Sequence, residues 1–144
     1  MRQIDTTRFG MIDIDEQKII NFPMGIPGFE EDHEFVMIPY DAPFVFLQSV
    51  TSSDLAFMMI NPFDFFKDYE IPIDDADLNQ LQIYEKEDLA TFSLLTIRDN
   101  DVEKTTANLL APIIINKKTH EAKQLILKNT QYTTHHELVQ AQAS

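Results

Sequence analysis

The chain is a series of short β-branched and aromatic runs, several of which alternate apolar with polar residues, and polar residues, Pro or Gly separate one run from the next. Such alternation predicts half-buried strands, because successive side chains of a strand point to opposite faces. The expected strands are Ile4 to Phe9, Met11 to Ile14, Lys18 to Phe22, Phe35 to Pro39, Phe44 to Val50, Ala56 to Ile60, Tyr69 to Ile73, Ala90 to Ile97, Pro112 to Asn116 and Lys123 to Leu127. Thr91-Phe92-Ser93-Leu94 alternates cleanly. Ile113-Ile114-Ile115 is apolar on both faces, so this run is either central in its sheet or covered by a partner. Pro72 removes a ladder donor and makes Tyr69 to Ile73 an edge strand.

Helix signals are few. Asp74 is placed to cap a short helix over Asp75 to Leu81, with Asp75 and Asp77 at the positive end of its dipole. A further helical turn is expected near Ile83, where Glu85, Glu87 and Asp88 precede Leu89. Met24-Gly25-Ile26-Pro27-Gly28-Phe29 holds two of the three Gly and reads as a rigid, ordered loop. The expected fold is therefore all-β and mainly antiparallel: a compact β-barrel-like domain with one or two short helices, since closing a sheet removes exposed edges. Residues 1–136 form one domain on this reading and 137–144 a flexible C-terminal tail.

Charge narrows the classes of partner. The chain of 144 residues carries a net charge of -13, with -15 over residues 1–104 and +2 over 105–144. Affinity for nucleic acid rests on Lys and Arg displacing counterions from phosphates, so direct nucleic-acid binding is not expected, nor attraction to an anionic membrane. The same field favours encounter with a basic protein, although acidity of this kind also serves solubility alone. Zero Cys removes disulfides and thiolate chemistry and suits the cytoplasm. The first residues form no leader-like apolar run, and no stretch is long and apolar enough for a membrane helix.

Motifs for catalysis do not emerge. There is no G-x-S-x-G, Walker or dinucleotide-binding glycine pattern, and no catalytic or cofactor-binding residue is assigned. The four His are His33, His120, His135 and His136; the adjacent pair would face opposite sides of a strand, so no metal site is expected, and His135 and His136 read as surface residues near the tail. The clusters at 30–32, 74–77, 85–88 and 99–103 lack the ligand spacing of a calcium loop and read as solvated turns.

The most unusual stretch is Asn61-Pro62-Phe63-Asp64-Phe65-Phe66-Lys67-Asp68-Tyr69-Glu70, where aromatic rings and acids interleave just before the Pro-marked edge. Rings supply contact area and acids select a basic partner, so Asp64, Phe65, Phe66, Asp68, Tyr69 and Glu70 are the candidate partner-binding residues. A Phe here also serves to anchor a loop onto the core.

Several blocks, taken in order, resemble the FliW family of flagellar assembly factors: Thr7-Arg8-Phe9-Gly10, Asn21-Phe22-Pro23-Met24-Gly25-Ile26-Pro27-Gly28-Phe29-Glu30, Phe46-Leu47-Gln48-Ser49-Val50, Leu55-Ala56-Phe57, Asn61-Pro62-Phe63, Asp68-Tyr69-Glu70 and Thr106-Ala107-Asn108-Leu109-Leu110-Ala111-Pro112. The resemblance runs from residue 5 to about 136. It implies a cytoplasmic, non-enzymatic regulator with a β-barrel-like fold and no cofactor. It also implies two partners: flagellin, and, once flagellin is secreted, the RNA-binding translational repressor CsrA, bound beside its RNA site so that the effect is allosteric. The flagellin segment is expected to add to an edge or lie in a groove, with Tyr69 to Ile73 as the dock. Two readings from other classes stand beside this one: a small enzyme using clustered carboxylates, and a generic acidic mimic of nucleic acid.

Overall fold

The computed structural model describes residues 2–98, 101–128 and 130–138. Mainly antiparallel strands build it, with one short α-helix and three 3-10 turns among the described residues. A hairpin of β1 (Arg2–Thr6) and β2 (Gly10–Ile14) stands apart from the main sheet. The main sheet holds β3 (Ile20–Asn21), β4 (Glu34–Pro39), β5 (Val45–Ser49), β6 (Ala56–Ile60), β7 (Leu89–Arg98), β8 (Asp101–Ala107), β9 (Ile113–Asn116), β10 (Ala122–Gln124) and β11 (His136–Glu137). Its order is β10-β9-β7-β6-β5-β4-β3, with β8 also on β7 and β11 on β8. No ladder closes this sheet into a barrel among the described residues; its two ends meet through one parallel bridge, Asn21 to Glu121.

Three apolar clusters explain the patterns in the chain. Phe22, Phe35, Leu47, Met59, Ile113 and Ile115 fill one core, while Ile60, Tyr69, Leu81, Ile83, Leu109 and Ile114 fill a second. The apolar run of β9 is thereby accounted for, since Ile113 and Ile115 face the first core and Ile114 the second. A third cluster, Ile4, Ile14, Ile19, Val36 and Val50, fastens the β1–β2 hairpin onto the outer face of β4 and β5.

Where the structure departs from the expected strands, a local tertiary contact decides. Tyr69 to Ile73 is not a strand: the segment is irregular and pairs with no strand. β8 and β11 arise where no strand was expected, and Asp101 to Glu103, read as part of a turn, lie in β8. Val102 is the lone apolar residue in Asp101-Val102-Glu103-Lys104, so β8 rests on its pairing with β7 and β11 more than on pattern. Glu137 pairs with Thr106, and Leu138 is buried in the second core. The remainder of the expected tail, 139–144, lies outside the described residues.

Helix α1 spans Asp75–Gln80, as the acids predicted, yet Asp74 makes no side-chain capping bond. Asp77 is instead ion-paired, accepting from Lys123 Nζ at 2.7 Å, which pins the helix to β10. The helical turn expected near Ile83 is a 3-10 turn at Lys86–Asp88, and Asp88 pairs with Lys118 at 3.3 Å. The 24–29 loop closes through the Phe29 N–H, which donates to the Ile26 carbonyl at 2.7 Å. Gly25 has φ +71, and an added Cβ would lie 2.8 Å from the Glu30 backbone, so only glycine fits.

Candidate functional site

The aromatic and acidic segment leaves β6 at Asn61, whose side chain accepts from the Phe63 N–H at 3.0 Å and starts a 3-10 turn over Pro62–Asp64. Pro62 suits the first position of such a turn because its missing N–H would have no partner there. The Phe66 N–H then donates to the Pro62 carbonyl at 2.8 Å, and Tyr69 N–H to the Phe66 carbonyl at 3.0 Å. Two tight turns in succession thus set the spacing of the side chains.

Tyr69 is the anchor. It is 4 % exposed, its hydroxyl donates to the Leu109 carbonyl at 2.6 Å, and its ring lies between Phe63 and Tyr132 at 5.8 and 4.8 Å. Burial, with a smaller contribution from Tyr132, pushes its ionisation well above the usual phenol range, so it stays a neutral donor. Phe65 and Phe66 are half-buried against the second core. Tyr132 grips the segment from the other side, its hydroxyl accepting from the Glu70 N–H at 3.0 Å.

Against this anchored base, Asp64, Asp68 and Glu70 are exposed, and none of them is ion-paired among the described residues. The six candidate residues therefore divide. Three carboxylates form an acidic lip and Phe65 and Phe66 offer partial ring surface, while Tyr69, expected among the contacts, holds the segment from inside. A cleft of about 570 Å³ lies beside the lip between Glu70 to Pro72 and Thr130 to Tyr132. The dock expected at the Tyr69 to Ile73 edge is corrected accordingly, because the Glu70 N–H is taken by Tyr132 and no strand edge exists there.

Tyr132 and His136 were not assigned to this site from sequence. His136 is half-buried, its ring packs on Phe66 and Tyr132 at 5.9 and 6.0 Å, and Nε2 accepts from the Thr133 N–H at 2.9 Å. Burial lowers its ionisation, in keeping with a ring nitrogen that must stay unprotonated to accept. The available signal was a lone aromatic, Tyr132, within a polar stretch. A catalytic carboxylate in a cleft would have its ionisation raised, whereas among the described residues the two carboxyls with a shift, Glu30 and Asp32, both move down. For Glu30 the cause is the Gly28 N–H. For Asp32 burial acts upward but is outweighed by hydrogen bonds from Ser49, Ser52 and Thr51 and by the charge of His33. Asp32 is thus a tie between loops rather than the solvated turn expected of its cluster.

A second cavity, of about 720 Å³, opens beside β4. It is lined by Ile20, Met37, Ala90 and Ile115, with Asp13, Asp15, Lys18, Lys117 and His120 at its margin.

Comparison with known proteins matches residues 3–138 to the family described as FliW protein. The flagellar assembly factor FliW of Geobacillus sp. (strain WCH70) is 48% identical over 137 residues, covering 94% of each chain. That of Bacillus subtilis (strain 168) is 47% identical over 135 residues, covering 92% of this chain and 94% of the relative. A crystal structure of the flagellar assembly factor FliW superposes with a TM-score of 0.90 at 46% identity, covering 95% of this chain and 96% of the other.

Proposed function

The chain belongs to the FliW family of flagellar assembly factors, and on that premise we propose that it works by holding two other polypeptides in turn. One is flagellin. The other, bound when flagellin is depleted, is the RNA-binding translational repressor CsrA, whose withdrawal relieves repression of flagellin synthesis. Binding, with no cofactor and no chemical turnover, is the whole of the activity, and it takes place in the cytoplasm where both partners are made. Among the described residues no helix is long and apolar enough to cross a membrane.

The observation that carries this reading is the acidic lip. Asp64, Asp68 and Glu70 are exposed, and among the described residues none is ion-paired, on a segment that buried rings hold in place. A repressor that binds RNA must present basic surface. Carboxylates held on a fixed base meet such a surface without first losing the conformational freedom of a loose loop. Phe65 and Phe66 supply apolar contact beside the charges, and Tyr69 contributes by fixing the geometry. The action on CsrA is allosteric in this reading, exerted from beside the RNA site.

Charge reversal tests it. Asp64→Lys with Asp68→Lys is expected to weaken CsrA binding by about tenfold in titration calorimetry and to flatten the dependence of affinity on salt, because rim charges act through screened attraction. Wild-type affinity together with a wild-type salt slope would refute the assignment of the lip.

A further inference from the structure

The lip is tied to a segment near the other end of the chain by a closed circuit of hydrogen bonds, and Leu109 is the residue common to both halves. The buried Leu109 accepts at its carbonyl from the Tyr69 hydroxyl at 2.6 Å, and its N–H donates to the Thr133 carbonyl at 3.1 Å. One residue before Thr133, the Tyr132 hydroxyl accepts from the Glu70 N–H at 3.0 Å, across 62 positions of sequence. The path from Tyr69 through Leu109, Thr133, Tyr132 and Glu70 therefore returns to its start. Neither Tyr69-Glu70 nor Tyr132-Thr133 belongs to a strand, so these bonds take the place of a ladder.

His136 locks the far half of the circuit. Its Nε2 accepts from the Thr133 N–H at 2.9 Å, while the Thr133 carbonyl accepts from the N–H groups of Leu109 and Leu110 at 3.1 Å each. Both backbone groups of Thr133 are thus held. The ring of His136 packs on Phe66 and Tyr132, so residues 132–136 touch the lip twice, at the Phe66 ring and at the Glu70 N–H. β11 sets the position of the imidazole by pairing His136 with Ala107 of β8.

The surroundings of that imidazole are uncharged. Phe66 meets it from the lip, Tyr132 from its own segment, and Ala107 stands opposite on β8; Tyr132 is the one titratable group among these. Asp64, Lys67 and Asp68 on the lip, Lys104 on β8, and His135 and Glu137 on either side of His136 are exposed. Burial alone accounts for its lowered ionisation.

The lip carboxylates are spaced around the points that the circuit holds: Asp68 and Glu70 flank Tyr69, and Asp64 lies two residues before Phe66. We propose that Tyr132 and His136 are positioning residues for partner binding: residues 132–136 form a clasp that keeps Asp64, Asp68 and Glu70 in the arrangement the basic partner meets. This rests on the lip as the surface that meets CsrA. Opening the clasp leaves every charge of the lip in place but frees their spacing, which the partner must then fix again at the expense of affinity. Protonation of His136 opens it from the Thr133 side, because an imidazolium has no acceptor to offer the Thr133 N–H.

Titration calorimetry of the full chain with CsrA, at a temperature where circular dichroism shows every variant fully folded, tests the clasp. Tyr132→Phe keeps the ring and removes the acceptor of the Glu70 N–H; it is expected to weaken binding about fivefold, the scale for ordering a side chain or two. Its salt dependence stays that of wild type, since no charge has changed. His136→Ala is expected to weaken binding by about as much, and His136→Gln, whose amide oxygen can take the Thr133 N–H, to recover most of that loss. From about pH 7.5 to about 5.5 wild type is expected to lose about threefold more affinity than His136→Gln, which has no proton to gain at this position. A merely structural role would lower stability and leave the affinity of the folded protein where it was.

The clasp is overturned if Tyr132→Phe or His136→Ala binds as tightly as wild type while Asp64→Lys with Asp68→Lys weakens binding. It is overturned as well if Tyr132→Phe flattens the salt dependence as that reversal does, or if acid costs wild type and His136→Gln the same affinity. Should the charge reversal itself change nothing, the lip is not the surface that meets CsrA and the clasp falls with it.

Discussion

The lip at residues 61–70 and the edge of β4 that faces β3 are opposites in construction. The lip is irregular backbone held by turns and by Tyr132, with charge as the feature left exposed. β4 is regular backbone whose Val36 and Ile38 pack under the hairpin, and among the described residues no strand meets its edge beyond Phe35. Irregular backbone can present fixed charges only if something other than a ladder fixes it, and here buried rings do so. A strand edge needs no such support, because β5 already holds β4 from the other side.

The comparison breaks most easily at Tyr69. Tyr69→Ala removes the ring on which the lip rests and is expected to cost about 3–5 kcal/mol in urea unfolding, as for other large buried aromatics. A loss below about 1 kcal/mol would mean that the lip is held by its turns alone. Tyr69→Phe keeps the ring but strands the Leu109 carbonyl, and is expected to cost about 1–3 kcal/mol by the same measurement.

Acid sharpens the contrast further. His136 has a lowered pKa in the folded protein, so below its unfolded value of about 6.5 the unfolded chain binds the extra proton more readily. Its contribution to stability is fully present above that value and is lost as pH falls toward the folded one. Between pH 7.5 and 5.5, wild type should lose more stability than His136→Gln, and equal losses would remove His136 from the account. The smallest effect belongs to β4: Met37→Lys, on a half-exposed edge, should shift stability by no more than about 0.5 kcal/mol. A much larger loss would show that the cavity wall is part of the core.

What could be read in advance follows the range of the forces involved. Short β-branched and aromatic runs marked β4, β5, β6, β7 and β9, because such runs are a property of neighbours in the chain and need no knowledge of the partner strand. The aromatic and acidic composition likewise singled out residues 64–70 before any geometry. The apolar faces of Ile113 to Ile115 were visible as a question, answered only when two separate cores appeared on the two sides of β9.

Tyr69 to Ile73 shows where local reading stops. Its β-branched and aromatic residues suit a strand, but the Tyr69 hydroxyl reaches the carbonyl of Leu109, forty residues onward, and that contact settles the backbone instead. β8 is the converse, a charged run made a strand by β7 and β11. The sequence by itself determined the class of fold and the sign of the net charge. The tertiary structure alone decided which rings anchor and which carboxylates face outward, and where the sheet stays open. Those outcomes depend on contacts between residues far apart in the chain, and burial at such contacts outweighs intrinsic strand preference, which spans only about 1 kcal/mol.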